Sequence, residues 1–265
     1  MNKENSLKVH VTGAYGLIGN LAYSHLSGKN QYDVYGSGRR KASSDRIDDE
    51  CLTSIPGDHF TIADLTDRDA IFEALSGMDV VIHLGAVPDP DASFEAVLNS
   101  NIIGTYNVLE ACRELGIKRL IYASSIMASW GYGKYEEPYI SIKDGRLNDL
   151  PDSIPKISIT DPPRPTEPYS VSKIWGESIC RTYHDAHQLA VVCLRIGWVN
   201  KENEATEPFL RSVWCSQTDI KQIIDLAVQA TANPIYDICY AVTEGPHRWV
   251  DIEHSRESLG YISQG

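Results

Sequence analysis

The chain has 265 residues, 42% of them hydrophobic and 23% charged, the balance of a globular protein long enough to bury a substantial core. Its formal charge of −12 excludes broad attraction to nucleic acid or acidic membranes, leaving room only for a local basic pocket that takes a small anion. No apolar run approaches the roughly 18 residues of a membrane span, the polar start "MNKENSLKVH" carries no secretory signal, and the expected setting is the cytoplasm.

Strand-like and helix-like segments alternate along the chain. "LKVHVT" (7–12) reads as a strand and "YGLIGNLAYSHLS" (15–27) as a helix, followed by strands at "YDVYG" (32–36) and "HFTIADL" (59–65). "DRDAIFEALSG" (67–77) is a helix with Asp67 in its first turn, and "DVVIHLGA" (79–86) is the most strand-like stretch of all. A long helix is expected over 91–116, closing at Gly116; strands at 118–125 and 190–197 then flank a helix at 168–188. Repeated βα units with apolar strands define the α/β class, a Rossmann-like doubly wound parallel sheet. Residues 126–167, rich in glycine and proline and without sustained periodicity, break the rhythm and read as a binding loop or lid, the alternative being a surface insertion.

Chemistry enters first at "VTGAYGLIG", where Gly13, Gly16 and Gly19 stand between the first strand and the first helix. Such glycines permit a tight turn, close backbone approach to a pyrophosphate and close helix–sheet packing, while the helix N-terminus offers N–H donors. The second signal is "PYSVSK": Tyr169 and Lys173 at i and i+4 share one helix face. A lysine cation there is expected to lower the phenol's pKa towards neutrality, so that the tyrosine can exchange a proton with a substrate hydroxyl or carbonyl. "YASS" adds Ser124 and Ser125 at a strand end, as partners for the reacting oxygen or as caps of the backbone.

Together, "TGAYGLIG", "ADL" at 63–65, "VIHLGA" at 81–86, "NIIGTYNVLEAC" at 101–112, "YASS" and "YSVSK" resemble the extended short-chain dehydrogenase/reductase family, the NAD-dependent epimerase/dehydratases. The resemblance implies one unit over 1–265, with a dinucleotide-binding core to about residue 200 and a small substrate-binding portion over about 201–265. It makes Tyr169 the acid/base, Ser125 the residue that orients the substrate oxygen, and Lys173 the holder of the nicotinamide ribose. Cofactor contacts are implied for Gly13, Tyr15, Gly16, Leu17, Ile18, Gly19, Asp64, Leu65, Leu84, Gly85, Ala86 and Ser124, with Asn101 positioning active-site backbone. The stretches "RSVWCSQTDIKQIIDLAVQA" (211–230) and "HSRESLGY" (254–261) are similar to C-terminal parts of uronate dehydrogenases and related archaeal glucose-6-phosphate dehydrogenases. Ile126 and Met127 stand where those enzymes carry Asn-His facing the sugar, and Arg211 is the candidate partner for a substrate anion.

The function implied is an NAD(P)-dependent oxidoreductase, a dehydrogenase of a sugar, sugar acid or sugar phosphate. An epimerase or dehydratase that keeps its cofactor and a non-catalytic NADP sensor are the alternatives. Cofactor choice turns on "VYGSGRRK": the ribose-binding acid is expected about 20 residues past the glycine turn, yet no carboxylate lies between Val34 and Ser44. Arg39 and Arg40 can instead bind a 2′-phosphate, which predicts NADP over NAD, with an exposed basic turn as the alternative. Six scattered cysteines without a C-x-x-C pair read as buried thiols of a reducing compartment, and the eight histidines show no metal-binding spacing, so no metal is expected. Glu177 is placed to pair with Lys173, and Trp198 to form core or pocket wall. "GYGKYEEPY" (131–139) either lines a sugar site or packs the lid. A homodimer through helices 91–116 and 168–188 is implied by analogy alone.

Overall fold

The computed structural model describes residues 6–42, 44, 46–47, 52–230 and 235–265. Seven strands form one sheet: β1 (Leu7–Thr12), β2 (Tyr32–Gly38), β3 (Phe60–Ile62), β4 (Val80–His83), β5 (Arg119–Ser125), β6 (Ala190–Ile196) and β7 (Tyr236–Ala241). Their order is β3-β2-β1-β4-β5-β6-β7, with every pairing parallel. β4 and β6 are buried along their whole length, as expected of strands covered on both faces. Chain order reverses between β1 and β4, and in such sheets a ligand crevice opens there, beyond the strands' carboxyl ends.

The helices are α1 (Leu17–Ser27), α2 (Arg68–Leu75), α3 (Phe94–Val97), α4 (Gly104–Leu115), α5 (Trp130–Tyr135), α6 (Tyr139–Lys143), α7 (Pro168–His187), α8 (Pro208–Arg211), α9 (Gln217–Gln229) and α10 (Glu253–Leu259). One apolar cluster unites Val9, Val11 and Ile82 with Ile220, Ile223 and Ile224 of α9. A second unites Val81, Leu120 and Tyr122 with Leu109 of α4 and Cys180 of α7. The sheet is therefore covered on both sides, as its sequence pattern predicts. Asp67 caps α2, its Oδ1 accepting from the Ala70 N–H at 3.1 Å.

Three departures from the sequence reading, and one choice between its alternatives, bear on the site. The helix expected over 91–116 is interrupted: Leu98–Ile103 winds as a π-helical stretch between α3 and α4. Such a turn widens the helix by a residue and re-aims side chains, here turning Asn101 into the interior. Segment 126–167 is not featureless, since it holds 3₁₀ turns at Ile126–Ser129 and Leu147–Asp149 besides α5 and α6. Tyr132 and Tyr139 of "GYGKYEEPY" donate to the carbonyls of Pro162 and Pro155 at 3.0 and 3.3 Å, so these rings pack the segment together. Lastly, the portion 201–265 does more than append to the core: it supplies β7, which completes the sheet.

Candidate active site

A cleft of about 1580 Å³ runs across the carboxyl ends of the strands. Its floor is the turn between β1 and α1. Gly13 has φ +69°, and a Cβ on Gly19 would stand 2.1 Å from the Gly13 carbonyl oxygen, so this turn closes only without those side chains. Gly16 is the N-cap of α1, and no side chain caps the helix's first N–H groups, which leaves them for an anion. Behind the turn, His83 is buried between Thr12 (2.8 Å) and Thr105 (3.1 Å), and the Thr12 hydroxyl accepts the Gly85 N–H at 3.0 Å. Burial lowers the His83 imidazole to about 3, so it stays neutral and serves as a fixed strut. Asn101 braces the far wall: its Oδ1 accepts the Val87 N–H at 2.8 Å, and its Nδ2 donates to the Val87 carbonyl and to Ser172.

The reacting groups come from β5 and α7. α7 opens with Pro168 and a reciprocal cap in which Glu167 accepts from the Ser170 N–H at 3.1 Å and Ser170 Oγ accepts from the Glu167 N–H at 3.2 Å. That cap fixes Tyr169 in the first turn. Gly176 then lets the helix lie directly on the sheet, since a Cβ there would collide with the Tyr122 hydroxyl at 2.0 Å. Tyr169, Lys173 and Glu177 follow at intervals of four on the buried face, 8%, 5% and 4% exposed. Lys173 Nζ donates to the Ala123 carbonyl at 2.8 Å and lies 5.6 Å from the Tyr169 ring centroid. Ser125 ends β5, its Oγ accepting the Met127 N–H at 3.1 Å.

Electrostatics differ from the expectation of an acidified phenol. Burial raises the Tyr169 pKa above its ordinary value, opposed by a hydrogen bond with Ser125 and by the charge of Arg46. Burial also lowers Lys173 to about 8, so the cation meant to tune the tyrosine is itself weakened. Glu177 is not the partner of Lys173. It binds Arg195 of β6 through two bonds of 2.9 Å, both side chains nearly inaccessible, and accepts the Ser124 hydroxyl at 2.5 Å. Arg195 also donates to the Tyr240 hydroxyl at 3.2 Å, which meets Ser129 at 2.7 Å. This buried chain ties β5, β6, β7 and α7 together immediately behind Ser125.

The cleft brings together Gly13, Tyr15, Gly16, Leu17, Ile18, Gly19, Arg39, Arg40, Asp64, Leu65, Leu84, Gly85, Ala86, Ser124, Ser125, Ile126, Met127, Tyr169 and Lys173. Asn101 lies behind the wall, and Arg211, exposed on α8, is not among the lining residues, although its neighbour Leu210 is. Trp130, Trp198, Arg46 and Lys134 also line the cleft. Trp198 fits its expected reading as core or pocket wall, whereas Trp130 and Lys134 of α5 and Arg46 carried no spacing signal in the sequence. Arg39 and Arg40 stand exposed at the end of β2, and the charge of Arg39 helps hold the Asp64 carboxyl below its usual range, after the Thr66 N–H.

The glycine cradle, the uncapped helix start and the Ser125–Tyr169–Lys173 set define an oxidoreductase of the dinucleotide-binding Rossmann class. Residues 9–241 match the NAD dependent epimerase/dehydratase family, and the chain belongs to it. It is 31% identical over 264 residues to the L-arabinose 1-dehydrogenase (NAD(P)(+)) of Haloferax volcanii, covering 96% of this chain and 95% of the relative. It is also 31% identical over 259 residues to the NAD-dependent glucose-6-phosphate dehydrogenase of Haloferax volcanii, with 97% and 92% covered. Among solved structures, the glucuronic acid dehydrogenase of Chromohalobacter salexigens superposes with a TM-score of 0.74 at 26% identity, over 98% of this chain and 85% of that one. Among the described residues, no helix is long and apolar enough to cross a membrane.

Proposed function

We propose that this protein is an NAD(P)-dependent dehydrogenase of a sugar, sugar acid or sugar phosphate. The observation that carries the proposal is the convergence of Ser125, Tyr169 and Lys173 on the wall of the cleft that the glycine turn floors. A bound nicotinamide would supply the two-electron acceptor for the hydride leaving the carbinol carbon. Tyr169 takes the hydroxyl proton, Ser125 holds the reacting oxygen, and Lys173 stabilises the phenolate; the same groups serve the reverse reduction. The relatives' substrates, a pentose, a hexose phosphate and a uronic acid, all present a ring hydroxyl or hemiacetal to such a site.

Selectivity for NADP belongs to the same proposal, supported by Arg39 and Arg40 at the end of β2 beside a cleft wall without a ribose-binding carboxylate on that strand's end. A homodimer through α4 and α7 is supported by exposed Tyr106, Leu115 and Val171 on those helices. The test is a panel of aldoses, uronates and sugar phosphates with each cofactor, followed by absorbance of the reduced nicotinamide. Stoichiometric reduction is expected, lost in Tyr169→Phe while cofactor binding persists. Turnover of sugar without net cofactor reduction would replace the proposal with an epimerase or dehydratase.

A further inference from the structure

We infer that Asp237, Cys239 and His254 form a zinc-binding site on the sheet's edge strand β7, two strands across from β5 and its end of the cleft. Asp237 and Cys239 are two residues apart on β7, so their side chains leave the same face of the strand. β7 pairs only with β6 and is the sheet's last strand, and α10 packs over that face with His254 in its first turn. The three ligand atoms, an imidazole nitrogen, a sulfur and a carboxylate oxygen, all lie within 4.8 Å of one another. That is the mixed N, S and O donor set that zinc takes, with the fourth position left to water.

The distances are close to those a metal needs. Zinc held at about 2.0 Å from N and O and about 2.3 Å from S sets its ligand atoms roughly 3.3–3.7 Å apart. Cys239 Sγ already stands 3.6 Å from Asp237 Oδ2. His254 Nε2 stands 2.6 Å from Asp237 Oδ1, a hydrogen bond that an ion would part by under about 1 Å. The carboxylate's orientation is fixed from outside the cluster, by the Ser258 hydroxyl on Oδ2 and the Ile238 N–H on Oδ1 at 2.8 Å. Cys239 is fully buried while the His254 side chain is 37% exposed, which gives the ion a protected floor and an open entry.

On binding, the thiol proton passes to solvent as the Zn–S bond forms, and the His254 proton between Nε2 and Asp237 moves to Nδ1, freeing Nε2 to ligate; no oxidation state changes. None of the three residues lines the cleft, and β6 stands between their strand and β5. The ion would therefore staple α10 to the sheet edge and take no part in the reaction. D-x-C followed by a histidine fifteen residues later matches no familiar metal-binding spacing, so only the fold brings the three together.

Chelator-treated protein titrated with zinc chloride tests this. One zinc per chain is expected, bound with sub-micromolar affinity, with a melting temperature that rises with zinc concentration. Cobalt(II) should give a thiolate-to-cobalt charge-transfer band, which Cys239→Ser removes. His254→Ala, a substitution at a half-exposed position, should weaken zinc binding by about 100-fold or more while the protein stays folded. No uptake at micromolar zinc, or uptake that neither substitution weakens, overturns the assignment. Neither result depends on turnover, so the site stands or falls separately from the dehydrogenase reading.

Discussion

Lys173 is the most informative position to perturb, because its burial sets stability against catalysis. Its ammonium is 5% exposed, and burial lowers its pKa from the ordinary 10.5 to about 8. A shift of that size corresponds to about 3 kcal/mol favouring the neutral amine in the folded chain. The unfolded chain therefore binds the proton more tightly, and between pH 8 and 10.5 it carries more protons than the native state. Wild-type stability should rise with pH across that window, and below it the whole penalty is present. Lys173→Met keeps most of the volume and removes the charge. Near pH 6.5 the variant should be more stable than wild type, by up to about 3 kcal/mol less the lost bond to the Ala123 carbonyl, worth about 1 kcal/mol. Urea denaturation of both proteins at several pH values measures the difference, in which the tyrosines and histidines common to both cancel. The difference should shrink as pH rises through 8. A pH-independent difference would show that Lys173 carries no buried charge, refuting the account of its environment. Turnover should collapse in the same variant, because the phenolate loses its cation.

Glu177→Ala leaves the buried Arg195 charge without its carboxylate, with only the Tyr240 hydroxyl as partner, which should cost about 3–5 kcal/mol in denaturant titration; a loss under about 1 kcal/mol would mean that the pair is not buried as described. Arg39→Ala and Arg40→Ala should raise the Michaelis constant for NADP about 10–100-fold, the worth of a charge-assisted bond to the 2′-phosphate, and leave that for NAD nearly unchanged. Equal Michaelis constants for the two cofactors in the wild type would remove the reason for making the substitutions.

Legibility in the sequence followed the range over which each feature is determined. The glycine turn and the Tyr169–Lys173 face were readable because both depend on residues within one turn of each other, and the βα alternation that orders the sheet is equally local. Strand β7 went unread because Asp237 interrupts an apolar run that an edge strand tolerates. The π-helical stretch went unread because one extra residue in a helix hardly disturbs the apolar period, although it is what turns Asn101 inward. Glu177 shows the same limit in its chemistry. Four residues from Lys173 it looked like a helix-surface pair, but its carboxylate faces the sheet and finds Arg195, eighteen residues away, on a strand whose side chains are fully covered.

The acidity of Tyr169 makes the same point in its direction. Its attraction to a lysine one turn away can be read from spacing, but the opposing term is burial, to which β5, α7 and the turn after Ser125 all contribute. In the protein alone burial wins, and it weakens the lysine as well. Besides the weakened Lys173 cation near its ring, the groups that favour the phenolate are the Ser125 hydrogen bond and the charge of Arg46. A site arranged this way gains its base only when the cleft's contents add positive potential or bring an oxygen into reach of both hydroxyls. If Tyr169 is the proton acceptor, its proton transfer would be coupled to occupancy of the cleft.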